Sequence, residues 1–253
     1  MPAVDVPLDL VETTLLAAVR ITAFLVVAPP FANKGVPGPV KVALGLGLAL
    51  VVQARLPRVA TASIAPLIGD VALQALLGLA LGFLVWLVFA AVQSAGSLVD
   101  LFGGFQLATA FDPMNMVSGA TFARLYQMLV VALLVASDAH HVVLLGLVRS
   151  FDSLPIGTGL APAALATAAV RGLTGMTVAA LQIAGPLIVV LFLADVGLGL
   201  LTRVAPALNA FAMGFPLKIL LTVSLGGYVV LTMPSVLAGL TGNATHLMTG
   251  VQP

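Results

Sequence analysis

An all-helical membrane protein of about six hydrophobic helices is the fold class this sequence predicts, and three observations predict it. Of 253 residues, 61% are hydrophobic and only 8% are charged, with a mean hydropathy of +1.20. A soluble domain of this length lacks the polar exterior to cover so much apolar side chain. The apolar residues fall in runs, most of them of membrane-spanning length. Between the runs no insert is long enough to fold alone, so residues 1–253 read as one membrane domain, without an internal repeat.

Composition also excludes functions. A net charge of +1 and 6% aromatics offer neither a basic footprint nor stacking platforms for nucleic acid. The absence of cysteine removes disulfides, thiolate catalysis and sulfur-ligated metal sites. Asp5, Asp9 and Glu12 precede or open the first apolar run, where a cleavable signal would be basic, so the first helix is expected to be mature structure.

The first segment, Leu10 to Val27, has the length of a span but carries Arg20 and several Thr, and it ends at Pro29 and Pro30. The connector PPFANKGVPGPVK, with four Pro and two Gly around Lys34 and Lys41, forbids regular helix. Only 13 residues then separate Lys41 from Arg55. At ~1.5 Å each they reach roughly 20 Å, short of the ~30 Å hydrocarbon core.

Residues 71–99 form a charge-free run of 29 between Asp70 and Asp100, with Gly78 and Gly82 at the spacing that lets helix backbones approach. The tail from Gln93 to Gly119 is ambiguous. Gly103, Gly104, Pro113 and Gly119 argue against unbroken helix, while Leu101, Phe102, Phe105, Leu107, Phe111, Met114 and Met116 are too apolar for a solvated loop. Such a segment wants burial in protein.

The fourth segment, Arg124 to Val148, is interrupted by Asp138, His140 and His141, and the linker RSFDSLPIGTGLAP after it should be exposed. The fifth, Gly172 to Leu201, carries Gln182, Pro186 and Asp195; the sixth, Ile219 to Leu240, is clean apart from Pro234. Between them the stretch DVGLGLLTRVAPALNAFAMGFPLK, Asp195 to Lys218, specifies a turn. Arg203 sits where a cation meets a helix C-terminus, Pro206 stops that helix, and the next run follows Asn209, Phe211 and Pro216.

Charges in the connections show no inside bias, five Lys and Arg against four with the N-terminus outside. Arg20, Asp70, Asp138 and Asp195 within or bordering the segments each need protein or water to face. Several helices are therefore expected to pack against partner chains rather than lipid.

Candidate chemistry is sparse. Asp138, His140 and His141 form the nearest approach to a metal or catalytic cluster, but adjacent histidines on a helix point about 100° apart, which favours a hydrogen-bonded structural role. No HExxH, phosphate-loop or GxSxG pattern occurs. No catalytic residue, metal or cofactor is expected. Intramembrane carboxylates at Asp138 or Asp195 leave an ion-coupled small-molecule carrier as the alternative. Flexible Met114 and Met116 beside glycines suit either an irregular core or a plug able to conform to a narrow passage.

With these residues in view, the chain resembles the FliR family of type III export-gate proteins. The likeness rests on the proline connector, AVQSAGSLVDLFGGF, FDP, His140, SFDSLPIG and above all GLGLLTRVAPALNAFAMGFPLK, in that order. The family commonly has Gln where this chain has Ala207, and the tail after Leu240 looks short. The resemblance implies helical hairpins in a spiral hetero-oligomer: one such chain with several FliP-like and FliQ-like subunits and an FlhB-like subunit. Its place would be the bacterial inner membrane at the flagellar basal body, passing unfolded flagellar proteins on energy supplied by other components. It implies a pore-plugging loop at Gly103, Gly104, Phe105, Asp112, Pro113, Met114 and Met116. It also implies an assembly turn at Arg203, Pro206, Asn209, Phe211 and Pro216.

Overall fold

The computed structural model describes residues 7–29, 31–33, 35–59, 63–106, 120–158, 162–205 and 210–250, without the side chains of residues 210–212. The described residues form α1 Leu8–Val27, α2 Gly38–Val52 with a 3-10 turn Gln53–Arg55, α3 Ile64–Gly103, α4 Thr121–Ala136, α5 Ala139–Ser153, α6 Pro162–Val204 and α7 Ala210–Thr249. No strand occurs among them. Among the described residues five helices are long and apolar enough to cross a membrane, or six if the bent pair α4 and α5 is counted as one span.

Several helix limits differ from those the sequence suggests. The second segment begins at Gly38, inside the proline connector, because Pro39 occupies the first turn, where a missing N–H costs no hydrogen bond. With its 3-10 turn it has 18 residues, roughly 27 Å at ~1.5 Å each. It is long enough to span, contrary to the expectation. Residues from Gln93 to Gly103 continue α3, which reaches 40 residues. The fourth segment divides at Asp138, whose φ of 55° ends one helix and starts the next. Pro216 lies inside α7 rather than before it, Pro234 lies within the helix as expected, and α7 continues past Leu240 to Thr249. Each proline removes one helical hydrogen bond, and the flanking turns keep the helix continuous. The linker expected to be exposed after Arg149 is partly core, for Phe151, Leu154 and Ile156 are buried while Arg149, Asp152 and Gly157 are exposed.

The chain divides into two compact units: Met1–Val88 with Asp138–Leu173 and Leu240–Pro253, and Phe89–Ser137 with Thr174–Gly239. The first is built around Arg20, which is fully buried. Its Nε donates to Gln74 Oε1 at 2.7 Å, its Nη1 to the Ser150 carbonyl at 3.3 Å and its Nη2 to the Leu154 carbonyl at 2.8 Å. The guanidinium carbon lies 4.2 Å from the centre of the Phe151 ring. One side chain on α1 thus joins α3 and closes the C-terminus of α5, where carbonyls lack partners and the helix dipole is negative. That explains why the SFDSLPIG stretch is folded inward.

Close backbone packing completes this unit. A Cβ on Gly78 would strike the Arg20 carbonyl of α1, and one on Gly82 would come within 2.9 Å of the Phe24 carbonyl oxygen. A Cβ on Gly45 of α2 would strike the Thr22 hydroxyl of α1. Ser153 Oγ donates to the Thr249 carbonyl at 2.9 Å, holding the end of α7 on α5.

Candidate functional site

The second unit contains the described parts of both predicted sites. The first lies where α3 ends and α4 begins. Gly104 has φ +82°, a left-handed value that glycine adopts without strain. This lets the Phe105 N–H donate back to the Asp100 carbonyl at 3.0 Å and the Gly104 N–H to the Leu101 carbonyl at 3.3 Å. The pair is the two-bond close of a helix C-terminus with glycine just beyond the last helical residue. Gly103 packs against Phe105 and Thr222, and Gly104 against Phe215. Asp112, Pro113, Met114 and Met116 lie outside the described residues.

The start of α4 lacks a cap of its own, since the preceding residue is Ala120. Asp100 of α3 supplies it. Its Oδ1 accepts from the Phe122 N–H at 2.9 Å and its Oδ2 from the Ala123 N–H at 3.0 Å. These are the second and third helical amides, the donors an N-cap side chain ordinarily satisfies. Bonds of this charge-assisted kind are worth ~1.5–3 kcal/mol each, and the positive helix end adds to them. Asp100 is fully buried. The approach this requires depends on Gly96, where a Cβ would fall 2.6 Å from Ala123 Cα. Phe105 meets Phe122 edge-on at 5.2 Å between ring centres, and Phe122 meets Tyr126 at 6.1 Å.

Sequence reasoning missed Asp100, Gly96 and Phe122. A signal existed: an acidic residue in the last turn of a helix opposes the dipole there, so something else must hold it.

The second site is the connection from α6 to α7. Arg203 occupies the last turn of α6, as expected. Pro206 and Asn209 lie outside the described residues, Phe211 is in α7 with its side chain undescribed, and Pro216 is inside α7 rather than in the turn. Asp195 of α6 and Lys218 of α7 form an ion pair at 2.8 Å that ties the two helices together on either side of the connection. The sequence marks both residues as limits of the turn without predicting that they meet.

Asp138, His140 and His141 come together more closely than their helical spacing suggests. The imidazole centres are 4.1 Å apart and His141 Nδ1 lies 3.6 Å from Asp138 Oδ1. One ligand atom from each of the three residues fits within a 4.8 Å group. Both histidines lie in the first turn of α5, and the left-handed Asp138 just before it brings its carboxylate beside His141.

The profile of the bacterial export proteins, family 1, matches residues 11–244. The chain belongs to this family. Flagellar biosynthetic protein FliR of Bacillus subtilis is 30% identical over 216 residues, 84% of this chain and 83% of that protein. FliR of Escherichia coli is 33% identical over 211 residues, 81% and 79% of the two chains. Surface presentation of antigens protein SpaR of Shigella flexneri is 28% identical over 155 residues, 59% and 58%. For this bacterial export protein, the family match takes in the α3–α4 region and the α6–α7 connection alike.

Proposed function

We propose that this export protein is a non-enzymatic subunit of the flagellar type III export gate in the bacterial inner membrane, where it helps form and seal a channel for unfolded flagellar proteins. The observation that carries the proposal is the family relationship along residues 11–244, with FliR proteins similar over most of their length. The whole chain acts as a single membrane domain, a reading supported by α3, α6 and α7, each of which contributes residues to both compact units.

Partners are FliP-like and FliQ-like subunits, with an FlhB-like subunit alongside. Apolar side chains left exposed on α2, among them Val42, Leu46, Leu50 and Val51, suit either lipid or such neighbours. Residues 103–119 act as the channel seal, and residues 203–216 as the turn on which assembly depends. The ion-coupled carrier draws no support from the relatives, and Asp195, one of its two candidate carboxylates, is paired with Lys218.

The test is native mass spectrometry of the tagged chain, coexpressed with the membrane proteins encoded beside it and extracted in mild detergent. The expected result is one copy of this chain with several copies of two small partners. A lone monomer or a homodimer would contradict the gate.

A further inference from the structure

We infer that Asp138, His140 and His141 form a binding site for a divalent transition-metal ion, zinc foremost, at the start of α5. The inference is independent of the gate reading and uses no residue assigned to the seal or the assembly turn.

Metal-binding side chains are concentrated here. The chain has three histidines and no cysteine, and two of the three histidines lie within three residues of Asp138. Two imidazole nitrogens with one carboxylate oxygen are a donor set that zinc takes in sites with an open position.

Two of the donors stand at the separation that a single ion requires. His141 Nδ1 lies 3.6 Å from Asp138 Oδ1. Two ligands of a tetrahedral zinc, each bonded at ~2.0–2.1 Å, are roughly 3.4 Å apart. The same 3.6 Å is too long for a direct N–H···O bond. His140 supplies the third donor in a group no wider than 4.8 Å, so a side-chain movement of about 1.4 Å or less brings it to bonding range. Its ring lies beside that of His141, with centres 4.1 Å apart and planes tilted by 36°.

Local backbone geometry aims the carboxylate. An aspartate just before the first turn of a helix ordinarily accepts from the second or third amide. Asp138 makes no such bond with its side chain. Its φ is 55°, and the carboxylate stands beside His141 instead. Asp138 and His141 are exposed and His140 is half-buried, which leaves water room to fill the remaining positions of the ion. The positive end of α5 opposes a cation, and the carboxylate offsets it. Asp138 also lies at the break of a bent span, where a carboxylate needs a partner. Asp195 has Lys218 in that role, and here a divalent cation takes it.

The test uses the protein with a histidine-free tag, extracted in mild detergent with whatever partners it carries, stripped with chelator and titrated with cobalt(II). Wild type should bind one more zinc-displaceable cobalt per copy of this chain than the double variant His140→Ala, His141→Ala, read from its visible ligand-field bands. The single variants His140→Ala, His141→Ala and Asp138→Asn should each weaken binding roughly tenfold or more. His246→Ala, which changes the remaining histidine, should leave binding unchanged.

Wild type without zinc-displaceable cobalt would overturn the inference, and so would binding that survives the double variant or falls with His246→Ala. Asp138→Asn at wild-type affinity would remove the carboxylate and with it the three-ligand site. If the histidine variants cannot be extracted intact, pulsed electron paramagnetic resonance of copper(II)-loaded wild type decides. Modulation from two imidazoles is expected, and modulation from one or none would overturn the site.

Discussion

Arg20 in one compact unit and Asp100 in the other are both fully buried, and the groups seen to hydrogen-bond their side chains are neutral. Each finishes a helix end of the sign it needs. Arg20 closes the C-terminus of α5 with its donors, and Asp100 closes the N-terminus of α4 with its acceptors. The difference lies in reach. Arginine has a long stem and five donors, so Arg20 joins α1, α3 and the end of α5 across as many as 134 positions of sequence. Aspartate is short, so Asp100 acts across 23 positions or fewer and needs a glycine to let its partner in. In a chain with only 8% charged residues, these two fully buried charges do the work of helix caps.

The largest effect should come from Arg20. Arg20→Ala leaves Gln74 Oε1 and the Leu154 carbonyl without the arginine donor, strips one of two donors from the Ser150 carbonyl and opens space beside Phe151. The loss should be about 3–5 kcal/mol, enough to deplete the folded chain, as read by the yield and thermal melting of the complex. Arg20→Lys should recover little of it, because a single ammonium nitrogen cannot reproduce the spread of Nε, Nη1 and Nη2 over three acceptors. A melting temperature within a degree or two of wild type would remove Arg20 from its central place.

Next in size, Gly78→Leu drives a side chain into the Arg20 carbonyl and the Ala23 Cβ. It should cost about 1–3 kcal/mol or more by overpacking. Gly185→Leu on α6 is the control, since a Cβ there meets nothing within 4 Å. Equal melting of the two variants would mean that α1 and α3 can separate without penalty. At the assembly turn, Asn209→Leu and Arg203→Ala should lower the yield of complex more than they alter the conductance of what assembles. Normal yield by native mass spectrometry would refute that role. The smallest effect belongs to Lys218→Ala. Asp195 is half exposed, so breaking this pair should cost only ~0.2–1 kcal/mol, a shift at the limit of a melting measurement.

These sizes follow the legibility of the sequence only in part. Apolar runs give the spans, because burial of an α-helix in lipid or protein leaves so few other solutions. The need for Arg20 to face protein could be read from its place inside a span. Helix ends were harder. Pro39 and Pro216 read as lying outside helix, yet one sits in a first turn and the other within a continuous helix, since a proline's effect depends on neighbours the sequence does not name. Asp138 was visible as an interruption, but its left-handed backbone was not. Asp100 read merely as the end of a charge-free run. Its partners are backbone amides, and any residue type could have carried them.

Hydrogen exchange on the detergent-purified complex tests the comparison most directly. If each buried charge serves its own helix end, Asp100→Ala will speed exchange at the Phe122 and Ala123 amides and leave the Leu154 amide protected. Arg20→Ala will do the reverse, exposing the Leu154 amide, which is bonded to the Ser150 carbonyl. Equal loss of protection at both places in either variant would contradict the account.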